Sequence, residues 1–224
     1  RRFTIEDLSE PPVGVVLHRA VRDRCNVVVT GATGSGKTTL LGALASAVGP
    51  NERLVTVEDA AELNIDRVHV VRMEARPPNC EGVGEVTVRD LVRNALRMRP
   101  DRIVVGEVRG AEAFDMLQAL NTGHDGSLST CHANGSGDAL RRLATMVLMA
   151  SPGLSVEVAD SLVAGSVDVI VHMVRAGAER RVSEVLEVRP PGSDPPVQAL
   201  VVGGLVLPAA ASGADGANRS RWGR

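Results

Sequence analysis

The stretch Gly31-Ala32-Thr33-Gly34-Ser35-Gly36-Lys37-Thr38 constrains this chain more than any other. It fits the pattern G-x4-G-K-[ST] and follows an apolar run at 25–30 (CNVVVT). Behind it, Leu40, Leu41, Leu44, Ala45 and Val48 recur at helical spacing, and Gly49-Pro50 stops the helix. A glycine-rich loop in this context is a nest of inward-pointing N–H groups capped by the positive end of a helix. It requires a strand before it and a helix after it, so it commits the chain to an α/β architecture. The loop also carries the only lysine among 25 basic residues, all the others being arginine. A compact ammonium reaches between β- and γ-phosphates where a planar guanidinium fork does not fit, which explains the exception.

The remaining periodicity extends the same architecture. Apolar runs at 53–57, 102–106, 126–131 and 167–174 read as strands, and a turn at Ala176-Gly177-Ala178 joins the last to a partner strand at 181–188. Helical patterns fall at 13–24, 38–48, 88–98, 111–121, 138–150 and 156–164. The alternation predicts a mostly parallel sheet with helices on both faces, plus a C-terminal β-hairpin. Aromatics are nearly absent (Phe3, Phe114, Trp222), so Val, Leu, Ile, Ala and Met must build the core. Residues 190–224, rich in Pro, Gly and Ala apart from one short apolar patch, are expected to be disordered.

Composition excludes several function classes. A net charge of −2 and a pI near 6.2 offer nucleic acid no bulk attraction. The longest uninterrupted apolar stretch, residues 199–207, is far short of the roughly 20 residues a spanning helix needs. Cys25, Cys80 and Cys131 form no CxxC pair, so a reducing cytoplasm fits and a zinc site does not. The chain starts at Arg1 without an initiator Met, and a fragment of a longer protein is expected.

Three of the strands run into polar residues: Glu58-Asp59 after 53–57, Glu107 after 102–106, and His132 after 126–131. Ligands of open α/β sheets bind at the carboxyl ends of the strands, so these side chains are expected beside the glycine-rich loop. Hydrolysis of a bound nucleotide needs one carboxylate for the Mg²⁺ shell and another to orient or deprotonate water. Glu58 and Glu107 are the candidates, with Asp59 and Glu62 in support. His132 and His124 are candidates to read a γ-phosphate, whereas His18, His69 and His172 read as structural.

The ordered boxes GATGSGKT, VTVEDAAEL (55–63), LVRNALRMRPDRIVVGEVRG (91–110) and TGHDGSLSTCHAN (122–134) resemble the secretion ATPase superfamily of type II secretion, type IV pili and type IV secretion. The run from Arg76-Pro77-Pro78 to Ser127 looks closest to the tight-adherence (Tad, CpaF-like) pilus ATPases. The resemblance implies a RecA-like P-loop NTPase domain over residues 13–189, with residues 1–12 as the exit linker of an N-terminal domain. It places ATP on Gly31, Ala32, Thr33, Gly34, Ser35, Gly36, Lys37, Thr38 and Thr39, and Mg²⁺ on Thr38, Glu107 and Glu58. It makes Glu58 the water-activating base, Glu107 the Walker B carboxylate, and His124 and His132 the histidine box. Among Arg76, Arg93, Arg97, Arg99 and Arg109, it offers Arg76 and Arg109 as fingers toward a neighbouring subunit. Implied partners are a homo-hexameric ring and platform proteins of a bacterial inner membrane, met from the cytoplasmic side and without nucleic acid. Without the N-terminal domain that closes on the nucleotide, turnover is expected to be weaker than binding. The competing classes are a conjugation or effector-secretion motor, a RecA-like nucleic-acid motor, and a nucleotide-binding module with little turnover.

Overall fold

The computed structural model describes residues 3–194 and 196–208. Its described strands form one sheet in the order β3-β2-β4-β5-β1-β6-β7-β8-β9. The parallel part comprises β1 (Val27–Gly31), β2 (Leu54–Glu58), β3 (Val70–Glu74), β4 (Arg102–Val108), β5 (Leu128–Cys131) and β6 (Val169–Ala176). The antiparallel part adds β7 (Glu179–Val188), β8 (Val197–Val202) and β9 (Leu205–Val206).

Helices cover both faces, as the alternation predicts. On one side α1 (Pro11–Arg22) and α2 (Lys37–Ser46) bury Leu17, Leu40 and Leu44 against Val27, Val29 and Val171. On the other, α3 (Val88–Ala95), α4 (Glu112–Asn121), α5 (Ser136–Ala150) and α6 (Val156–Ser166) pack Leu117 and Leu143 against Val28, Val55 and Ile170. Successive β1 valines thus feed opposite cores, the two-residue alternation of a strand buried on both faces. Helix α3 begins at a capping box in which the Thr87 hydroxyl accepts from the Asp90 N–H and the Asp90 carboxylate accepts from the Thr87 N–H.

Two parts of the sheet depart from expectation. β3 has no clear sequence signal because charged residues interrupt it; it is an edge strand, and half-exposed strands tolerate Arg72 and Glu74. Residues 197–206, expected within a disordered tail, instead form β8 and β9 around a Gly203-Gly204 turn. Leu200 and Val201 are buried there, and the pairing covers backbone groups that β7 would otherwise expose. Residues 209–224 of that tail lie outside the described residues. Within residues 1–12, assigned to a linker, Ile5 and Leu8 are buried in the α1–α2 core, and the Leu8 carbonyl accepts from the Val182 N–H.

An arginine clamp holds the sheet's amino edge. Arg102, 2% exposed, donates through Nε and Nη2 to the two Glu52 carboxylate oxygens at 2.8 Å each, and through Nη1 to the Val21 carbonyl at 2.8 Å. This ties the end of α1 and the entry of β2 to β4. Arg102→Met is expected to cost about 3 kcal/mol, since it removes a buried guanidinium and strips the half-buried Glu52 carboxylate of a bidentate partner, leaving it Arg24. Urea denaturation at neutral pH measures it, and a loss under about 1 kcal/mol would make the clamp no stronger than a surface pair.

Candidate functional site

The loop between β1 and α2 has the conformation its glycines permit. Gly31 takes φ +146°, and a Cβ there would lie 2.4 Å from the Met173 carbonyl oxygen. Gly36 takes φ +97° at the N-cap of α2, where a Cβ would meet Arg180 at 3.0 Å. Larger residues at either position would force the loop open. Lys37, the first residue of α2, is 7% exposed, and its ammonium donates to the Ala32 carbonyl at 3.0 Å.

Strand order decides what meets this lysine. β5 pairs directly with β1, and β4 lies beyond β5. Thr30 aligns with Cys131, and Cys131 with Val108, so Gly31, His132 and Glu107 share one sheet edge. The β4–β5 register shifts between Val105 and Val108, a bulge that re-aims the side chain of Glu107 toward the loop. The Thr130 hydroxyl donates to the displaced Gly106 carbonyl at 2.7 Å.

The result is a polar chain. Lys37 Nζ lies 3.4 Å from His132 Nδ1, and His132 Nε2 lies 2.7 Å from Glu107 Oε1. The Arg109 guanidinium grips Glu107 Oε2 and approaches Asp59 at 3.6 Å. Burial, followed by the Lys37 charge, holds the His132 imidazole below its ordinary value against the pull of Glu107. His132 is therefore neutral at pH 7, and its Nδ1 can accept from the lysine. Burial also lowers the Lys37 amine, with Glu107 opposing. The Cys131 thiol is pushed up to about 11, mainly by burial, and stays protonated.

Among the described residues, two buried oxygens in this cluster, Ser35 Oγ and Glu107 Oε1, make no hydrogen bond, although His132 Nε2 lies 2.7 Å from the latter. A buried carboxylate oxygen with spare acceptor capacity, beside a phosphate loop, suits a hydrated divalent cation. The half-buried Thr38 follows Lys37 on α2 and is the hydroxyl the loop pattern provides for such an ion. The donor set therefore fits Mg²⁺.

Not every expected residue joins the cluster. Glu58 is 3% exposed, and its Oε1 accepts from the N–H groups of Glu62 at 2.9 Å and Leu63 at 2.7 Å, shaping the loop after β2. It lies three strand steps from β1, about 14 Å at ordinary strand spacing. Its close neighbour is Gly106, where a Cβ would fall 3.2 Å from Glu58 Cγ. His124 precedes β5 and so sits at the opposite, amino edge, its Nδ1 3.2 Å from the Ala119 carbonyl. The expectation that both histidines reach the phosphate loop fails for His124, because β5 runs between them. Arg76 is exposed just beyond β3, bonded through Nε to the Gly84 carbonyl at 2.8 Å and about four strand steps from β1. Arg109, expected to face a neighbouring subunit, pairs with Glu107 of its own chain. Arg93, like Arg89, is bound to Asp115.

Residues without a sequence signal also approach. Asn134, Arg141 and Arg142 line an open cleft with Gly31, Ala32 and His132. Arg180 of β7 donates through Nε to the Gly34 carbonyl at 3.0 Å. Arg180 lies 146 positions from Gly34, beyond the reach of any local pattern.

A phosphate loop on a parallel sheet, with an extra strand between the loop strand and the carboxylate strand, defines a RecA-like P-loop NTPase. The chain belongs to a family within that class: residues 7–198 match the family of type II/IV secretion system proteins. A Mycobacterium tuberculosis protein named for conjugal transfer is 50% identical over 181 residues, covering 80% of this chain and 51% of that protein. Type IV secretion system protein PtlH of Bordetella pertussis is 43% identical over 178 residues, covering 75% of this chain and 52% of its own. Among solved structures, the VirB11 ATPase of the Brucella suis type IV secretion system, in complex with sulphate, superposes with a TM-score of 0.69 at 39% identity. That match covers 76% of this chain and 50% of the VirB11 chain. The chain thus spans about half the length of the curated relatives it matches. Among the described residues, no helix is long and apolar enough to cross a membrane.

Proposed function

We propose that this chain is the catalytic module of an ATPase motor that powers pilus assembly or protein secretion at the bacterial inner membrane. The single observation that carries the reading is the convergence of Lys37, His132 and Glu107 at the mouth of the phosphate loop. In this reading the loop residues Gly31 to Thr39 hold ATP, and Lys37 bridges its β- and γ-phosphates. Thr38 and Glu107 hold Mg²⁺, which would neutralise charge on the phosphate oxygens when bound. Glu107 orients the attacking water, and neutral His132 stands between it and Lys37, where a γ-phosphate would be felt. Glu58 positions the acidic loop behind Glu107 instead of meeting the water itself. Arg109 screens Glu107 from outside.

A homo-hexamer working against membrane platform proteins from the cytoplasm follows from the family resemblance. The Tad-like pilus role rests on the wording of the boxes from Arg76 to Ser127. A second reading, conjugation or effector export, is favoured by the names of the relatives in Mycobacterium tuberculosis and Bordetella pertussis. The acidic pI argues against a motor on nucleic acid, although both uses share the site.

The test is steady-state phosphate release by this chain with and without Mg²⁺, beside light scattering for ring formation. Metal-dependent ATP turnover supports the reading. Absence of nucleotide binding would overturn it, and several-fold stimulation by single-stranded DNA would revive the nucleic-acid class.

A further inference from the structure

The β6–β7 hairpin projects past the carboxyl edge of the sheet beside the phosphate loop, on the side opposite Glu107 and His132. Met173 and Val182 pair across its two strands and join the α1–α2 core. Two residues further toward the tip on each strand, on the same face, Arg175 and Arg180 are directly opposed. Like charges in direct cross-strand register repel; among the described residues the polar contacts of the two guanidiniums are to carbonyls, Arg175 Nε donating to Gly177 at 3.0 Å and Arg180 Nε to Gly34. Arg180 Nε donates to the Gly34 carbonyl, its Cδ lies 3.0 Å from where a Gly36 Cβ would be, and Arg175 Nη1 lies 3.9 Å from the same point on Gly34. Two exposed, mutually repelling guanidiniums therefore overhang one flank of the loop.

We propose that Arg175 and Arg180 form the second wall of the nucleotide site and take the α-phosphate end of a nucleoside di- or triphosphate. The proposal rests on the phosphate-loop reading above. The sheet order carries the direction: with the γ-phosphate drawn toward Lys37, His132 and Glu107 on the β5 side of β1, the rest of the nucleotide leaves across the loop on the β6 side. An anion there relieves the Arg175–Arg180 repulsion. Arg180 has a second, positioning role: by holding an outward-facing loop carbonyl, it keeps the opposing N–H groups turned inward.

Both residues are exposed at a hairpin tip, so substitution leaves the core untouched. Titration of the full chain with fluorescent ADP and ATP analogues tests the proposal on Arg175→Ala, Arg180→Ala and Arg180→Lys, with thermal midpoints as a folding control. Each alanine variant is expected to weaken ADP and ATP binding alike, by roughly tenfold, the loss of one charge-assisted contact. Arg180→Lys is expected to recover part of that loss, since charge returns without the fork. Unchanged affinity for both nucleotides overturns the proposal, as does a loss confined to ATP, which would place the pair at the γ-phosphate. If the unsubstituted chain binds neither nucleotide, the phosphate-loop reading itself fails; if it binds both and the alanine variants bind both with unchanged affinity, the hairpin assignment alone fails.

Discussion

Lys37→Ala is expected to remove nucleotide binding at any concentration a titration normally reaches. The ammonium is almost fully enclosed, held by the Ala32 carbonyl and His132 Nδ1 at the base of the loop. It is the one loop group with a full positive charge, and two charge-assisted contacts to phosphate are together worth about 3–6 kcal/mol, on the order of a hundred- to ten-thousandfold in affinity. Lys37→Arg is expected to fare little better despite conserving charge. The pocket closes around a point-like ammonium, and a guanidinium would crowd His132 and the Ala32 carbonyl. Equilibrium titration with ATP reads both variants. Wild-type affinity in Lys37→Ala would sink the phosphate-site assignment, and full function in Lys37→Arg would leave the lone lysine as a matter of composition.

Glu107→Gln is expected to bind ATP normally and to hydrolyse it on the order of a hundred- to ten-thousandfold more slowly, the range spanned by positioned acid–base groups. The substitution keeps shape and removes the charge that, in the proposed reading, would hold Mg²⁺ and orient water. Glu58→Gln is the informative partner. Its amide oxygen can still accept from the N–H groups of Glu62 and Leu63, so the acidic loop should persist and turnover should fall far less. Single-turnover hydrolysis of prebound ATP separates the two. If Glu58→Gln proves the more damaging variant, the base role returns to the acidic box, as the family resemblance implies, and Glu107 keeps the metal alone.

The helix that buries Leu40, Leu41 and Leu44 and the loop glycines were legible because their signals lie within a few residues of one another. The strand ends at Glu58 and His132 were legible for the same reason, since an apolar run that stops at a charge is a local event, whereas Glu107 lies inside β4, which runs on past the bulge to Val108. β3 was hidden because an edge strand buries too little to need an apolar run. β8 and β9 were hidden by their proline-rich approach, although Leu200 and Val201 fill the core as fully as any predicted strand.

By itself the sequence determined the class of fold, the phosphate loop and the residue types available for chemistry, because local periodicity and glycine conformation are set within about ten residues. Tertiary structure alone decided which of those residues meet. The order β2-β4-β5-β1 delivers His132 to Lys37 and keeps Glu58 away, and the bulge in β4 turns Glu107 inward. The β6–β7 hairpin brings Arg180 to Gly34. Strand neighbours are chosen by burial of both sheet faces over the whole chain, and short-range patterns carry no record of that choice.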